Sequence, residues 1–455
     1  MSGKGIVRLG LGALVAAFAL SPRLAQAVPS FSLQTGQPCS TCHVGGYGPQ
    51  LTPFGRAFKI TGYTQTGGQD YPFPLSAMLL GSYSNTSKGQ GAPVTPDLGD
   101  NGNFAVDQVS LFAGGHIGDH IGGLVQGTFD GIGSAFFLDN TDIRLTTPVT
   151  LGTSNIELGF DLNNNPTVQD AYNSTPAWGY PYVFSALTPT PSASPLLAGA
   201  LAGDSIGTTM YAWWNRSLYV EAGVYNTMGP WMLSWTGNTY GPGSTRNPAP
   251  YLRAVYEWNF DGQSAHVGAA FMHSNFNPTI SNFSTDGSNG HDSYTDYMID
   301  GGYQFLGDGT NVVTVQGNFI HERQDLQGTY TVGGAGQPGH SLNEINLNTS
   351  YWYQQTYGIT AAWQRIWGTR DTTLYSPSPV SGSNNGKPDS NSFTVEADWV
   401  PFGKMNSWGN PWVNLKLGVQ YTLYTEFNGS SSNYDGNGRS ASDNNTLYMF
   451  AWLMF

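Results

Sequence analysis

Both cysteines of this 455-residue chain stand in one five-residue run, Cys39-Ser40-Thr41-Cys42-His43. Two thiols at this spacing, followed at once by an imidazole, form the pattern of covalent c-type haem attachment. The thiols close on the two vinyl groups of a porphyrin, and the adjacent imidazole nitrogen meets the iron. A thioredoxin-like dithiol would need a βαβ surround, and half of a zinc site would need a second Cys or His cluster, and the sequence has neither. One haem c is therefore expected, held by Cys39 and Cys42, with His43 as the proximal iron ligand. The distal ligand is not readable; Met78, His116, His266 and Met272 are candidates. A methionine there would raise the reduction potential relative to a second histidine.

The elements that must position this motif begin with an export signal. Lys4 and Arg8 precede an apolar run from Leu9 to Leu20, and Ala25-Gln26-Ala27 supplies small residues, so a secretory leader over 1–27 is expected, cleaved after Ala27. Its loss leaves 14 bases against 30 acids, a formal charge near −16, which argues against nucleic acid as a partner. Only 10% of residues are charged, against roughly 25% in an ordinary soluble domain. No later segment approaches the roughly 20 apolar residues of a membrane helix, so the chain reads as a β protein.

From about residue 75 onward, short alternating strands recur between Gly/Asn/Asp/Pro/Ser breaks, about sixteen in all. Val413, Leu415, Leu417, Val419, Tyr421 and Leu423 alternate with Asn414, Lys416, Gly418, Gln420, Thr422 and Tyr424. Short turns at Asn215-Arg216-Ser217, Asn259 to Gln263 and Gly307-Asp308-Gly309 are separated by long loops at 164–204, 226–248, 275–290, 324–340, 369–388 and 426–444. That rhythm, tryptophans at strand ends (Trp213, Trp214, Trp231, Trp258, Trp367, Trp399, Trp412) and a last strand closing on Phe455 favour an all-β, transmembrane, antiparallel up-and-down barrel in a Gram-negative outer membrane over a sandwich. The polar faces carry eleven acids (Asp142, Glu157, Asp161, Glu221, Glu257, Asp296, Asp300, Glu322, Glu344, Glu396, Asp398) against Arg144, Arg253 and Lys416. Such a lumen should draw cations. Loop 164–204 could fold into it or cap the outside.

About thirty residues separate His43 from the first strand, too few for a cytochrome with its own core, so the haem segment is expected to borrow packing from the barrel's mouth or interior. Pro29 to Gly36, the Cys39–His43 run, and Leu51-Thr52-Pro53-Phe54-Gly55-Arg56-Ala57-Phe58-Lys59-Ile60-Thr61-Gly62-Tyr63 together resemble the start of the fused outer-membrane monohaem cytochrome c–porins implicated in extracellular ferrous iron oxidation. Ser32-Leu33 stand where that family usually has Ala-Arg, which leaves the electron donor open. The resemblance implies a leader (1–27), a haem segment (28–72) and a sixteen-stranded porin-like barrel (73–455). It further implies one-electron oxidation of Fe(II), or of another reduced metal, with electrons passed to a periplasmic cytochrome or other carrier. Arg56 and Lys59 are expected to meet the haem propionates. A cation-selective porin with the haem segment as plug or sensor is the alternative.

Overall fold

The computed structural model describes residues 30–67, 75–93, 95–175, 184–410 and 412–455; the expected leader lies outside them. Among the described residues, sixteen long strands run in chain order from Leu75–Thr86 to Thr446–Met454. Two short strands, Gly243–Thr245 and Ser284–Thr285, extend one rim against strand Gln263–Ser281. The long strands pair antiparallel with their sequence neighbours, and the first pairs with the last, Met78 opposite Met454 and Leu80 opposite Trp452. The sheet is thus a closed up-and-down barrel, the architecture the alternation predicts.

The two faces are sorted opposite to a soluble protein. In strand Asn414–Glu426, Lys416 is 3% exposed whereas Val419 is 49% exposed. Ten of the eleven acids expected on the polar face are buried inside, as are Arg144, Arg253 and Lys416; Glu157 is half-buried. An outward belt of Val, Leu, Phe and Tyr suits hydrocarbon, where closed pairing also satisfies every strand's backbone. Trp214, Trp258, Trp399 and Trp412 are exposed near the short-turn mouth, and Trp231 lies on a helix, Pro230–Thr236, at the long-loop mouth. Trp213 departs from this girdle. Strand parity turns it inward, where it packs with Tyr211, Tyr219 and Ile60.

The connection rhythm holds with three differences. Strand Gln263–Ser281 continues through 275–281, because the rim strands pair with it there. The connection 400–413 is long on the short-turn side, and 131–134 is short on the long-loop side. Loop 164–204, in its described parts, folds into the lumen. Ser174 Oγ donates to Asp300 Oδ1 at 2.9 Å, and the amides of Leu196 and Leu197 donate to Glu322 Oε2 and Asp296 Oδ2 at 2.6 and 2.8 Å. Wall carboxylates withdrawn from water need such donors, and the loop supplies them.

A charge on the outer face should be costly where the same charge on the inner face has partners. Val419→Arg, at mid-strand, is expected to destabilise the folded barrel by about 2–4 kcal/mol in lipid, read from reversible denaturant unfolding in vesicles. Equal stability of variant and parent would count against a lipid-facing surface.

Candidate functional site

Three short helices lie at the short-turn mouth, α1 (Ser30–Thr35), α2 (Cys39–Cys42) and α3 (Pro53–Ile60), and the Cys39–His43 run sits on and just after the middle one. A single turn of α2 places the two thiols three residues apart on one side, which is why the spacing matters. Its last hydrogen bond, in which the His43 amide donates to Cys39 O at 2.8 Å, hands the chain to an extended loop that returns when the Thr52 amide donates to Cys42 O at 2.9 Å. Thr52 then caps α3, accepting from the Gly55 amide at 3.2 Å, with Pro53 at the first helical position. Gly55 has to lack a side chain, since a Cβ there would stand 2.2 Å from the Cys42 carbonyl oxygen. Phe31, Phe58 and Tyr63 tie α1 to α3, with ring centroids 5.1 to 5.6 Å apart.

This segment is plugged into the barrel rather than folded beside it. The Gly45 amide donates to Gln355 Oε1 at 2.6 Å, Tyr47 Oη donates to the Trp452 carbonyl at 3.0 Å, and Tyr211 Oη donates to the Ile60 carbonyl at 2.6 Å. Arg56 is held most completely. Its Nε and Nη2 donate to Glu257 Oε1 at 3.2 and 2.7 Å, Nη2 also to Ser264 Oγ at 2.9 Å, and Nη1 to Leu51 O and Gln304 Oε1 at 2.8 and 3.1 Å. Lys59 Nζ lies 3.2 Å from Asp142 Oδ2, which also accepts from Tyr63 Oη at 2.8 Å.

Cys39, Cys42 and His43 line one cavity between this plug and the wall. Its far side is built from barrel residues that include Phe112, Leu124 and Met454, and the lining is mostly apolar. Burial lowers the His43 pKa to about 4, so the imidazole is neutral with a lone pair to offer. Its buried Nδ1 has no hydrogen-bond partner among the described residues. Burial raises Cys39 to about 11; burial and then the neighbouring Cys39 raise Cys42 to about 12, keeping both as thiols. Two thiols, a neutral imidazole and apolar walls in one cavity fit a covalently attached haem.

No family model matches the chain, and neither does any curated protein. Solved structures resemble it at low identity. They include an anion-selective porin from Comamonas acidovorans (12% identity, 84% of this chain and 98% of that one, TM-score 0.43). OprB of Pseudomonas putida (12%, 84% and 93%, 0.45) and the outer-membrane channel DcaP of Acinetobacter baumannii (10%, 84% and 96%, 0.44) are similar to the same degree.

The remaining expected site residues are dispersed. Arg56 directs four of its donations to Glu257, Gln304 and Ser264 of the wall and one to the Leu51 carbonyl of its own segment, which replaces the expected propionate contact, because the desolvated Glu257 carboxylate needs a counter-charge. Lys59 lines the cavity while pairing with Asp142. Met78 is buried with Tyr47 and Trp452, one strand from the cavity-lining Met454. His116 is exposed near the 118–121 turn. His266 and Met272 share an inner face, His266 against the Tyr172 ring and Met272 in a cluster with Leu196 and Leu197. Met454 was missed as a candidate, although its even-numbered parity with Trp452 marks it as inward. A second, more polar cavity of about 520 Å³ lies within the barrel against the inserted loop, lined by Asp139, Glu344 and Tyr424 among others.

Arg56→Ala would leave Glu257 buried without a counter-charge, a loss of about 3–5 kcal/mol. Rapid protease cleavage within 30–67 of the assembled barrel is the expected readout, with protection largely regained in Arg56→Ala/Glu257→Gln.

Proposed function

We propose that this chain is an outer-membrane electron conduit of a Gram-negative bacterium, a c-type cytochrome segment housed in a sixteen-stranded barrel. In this reading it takes electrons from extracellular Fe(II), or another reduced metal, and passes them to a periplasmic cytochrome or other carrier. The observation that carries the reading is the cavity in which Cys39, Cys42 and His43 meet, inside the barrel and walled by it. The resemblance of 29–63 to fused cytochrome–porins supports it.

Bound there, a haem would supply one-electron chemistry at its iron. The chain's own residues do the rest. Cys39 and Cys42 would anchor the group through thioethers, His43 would ligate the iron, and the apolar lining would keep water from it and so tune its potential. Arg56 and Lys59, paired with Glu257 and Asp142, fix the plug against the wall. Short turns mark the periplasmic side of such barrels, and in this reading a periplasmic acceptor would collect the electron there. A cation arriving at the long-loop side meets a lumen with more acids than bases, and Asp139 and Glu344 line the larger chamber there. No acid–base or nucleophilic catalysis is required; oxidation of the metal by one electron is the whole reaction.

The acidic side chains lining the chamber favour ion passage as the second reading, with the segment as plug or sensor. Full-length protein, purified and air-oxidised in detergent, separates the two. Fe(II) is expected to produce reduced c-type bands quickly, and a haem that stays oxidised with Fe(II) yet responds to dithionite would sink the conduit for iron. Cys39→Ser/Cys42→Ser should lose all haem retained on a denaturing gel; ion flux in liposomes that is unchanged by this loss would favour the channel.

A further inference from the structure

We propose that the thioether sulfur of Met454 is the second axial ligand of the haem iron; the inference rests on the reading of Cys39–His43 as the haem site. Apart from the motif itself, four of the described residues on the cavity lining carry a side chain of the kind that ligates haem iron: Tyr47, Lys59, Tyr63 and Met454. Three of them are committed elsewhere. Tyr47 Oη donates to the Trp452 carbonyl at 3.0 Å, Tyr63 Oη to Asp142 at 2.8 Å, and Lys59 Nζ pairs with Asp142 at 3.2 Å while donating to the Val168 carbonyl. Met454 has a soft sulfur on a flexible stem, and that stem can turn to an iron without breaking a hydrogen bond.

Its placement is fixed by the sheet. Met454 lies directly across from Asn414, about 5 Å away at the backbone, and the Asn414 amide donates to the Gly46 carbonyl at 2.7 Å, three residues beyond His43. Asn414 and Met454 both line the cavity. Two residues earlier on the same inward face, Trp452 packs on the Tyr47 ring at 4.8 Å. The wall strand therefore follows the haem loop, and Met454 faces the cavity from the barrel while His43 faces it from the plug. Phe112 and Leu124 beside it leave an apolar surround in which a thioether bond to iron has no water to compete with.

The test is spectroscopic, on the full-length haem-loaded protein. The oxidised form is expected to show the weak red absorption band of methionine sulfur bonded to ferric haem. Met454→Leu should abolish that band and lower the reduction potential, since methionine ligation raises it; Met78→Leu should keep both. A parent protein without the band, or a Met454→Leu variant that retains it, overturns the proposal. If Met454→Leu does not assemble, Met78→Leu/Met272→Leu decides, and loss of the band there is equally fatal. Haem attached without the band refutes this ligand alone, whereas a chain that retains no covalent haem refutes the functional reading with it.

Discussion

A carboxylate withdrawn from water has to be met by a counter-charge or by hydrogen-bond donors, and on the inner face of this barrel ten of the eleven acids expected there are withdrawn. The wall itself offers Arg144, Arg253 and Lys416. Arg144 answers Asp142 and Asp161, Arg253 answers Asp300, and Lys416 answers Glu396 and Asp398. Glu257, which accepts from the Tyr172 and Ser264 hydroxyls, gains its counter-charge when Arg56 arrives with the N-terminal segment, and Lys59 adds a second cation beside Asp142. Asp296 and Glu322 are answered by backbone amides of the inserted loop. The lumen's contents are thus part of the electrostatic closure of the wall, and the position of the haem motif follows from it.

The dependence runs the other way as well. Helices of six, four and eight residues are too short to hold themselves in water, and three aromatic rings are a small core. Tyr211, Gln355, Trp352 and Asn414 on the wall complete what the segment lacks. Gly45, at φ +73°, sits so close to the Trp352 ring that a Cβ would collide with it at 2.4 Å. Such contacts fix the loop after His43 to within the tolerance of a packed interior.

The barrel was legible because lipid outside and polar lumen inside impose a period of two on every strand, and a local pattern survives in the sequence. The Cys39–His43 run stood out because it too is local, five consecutive residues. What was not legible depended on closure. Arg56 looks like an ordinary base next to a haem motif, and nothing near it announces Glu257 two hundred residues away. Loop 164–204 has no local feature that chooses lumen over exterior; the wall acids that draw it in come from strands much later in the chain. Trp213 and Trp214 look equivalent as a pair, yet parity sends one to the lumen and the other outward.

The cavity that receives Cys39, Cys42 and His43 takes Ser76 from the first strand and Met454 from the last. It therefore straddles the seam at which the sheet joins its own ends. Before that seam zips, one wall of the pocket is divided between the two extremes of the chain and has no fixed shape. Zipping it gives the wall its form and shuts the plug within the staves in a single act. A cofactor tethered early to the N-terminal segment would be sealed in as the barrel is sealed, and biogenesis, rather than later exchange, would decide whether the site is filled.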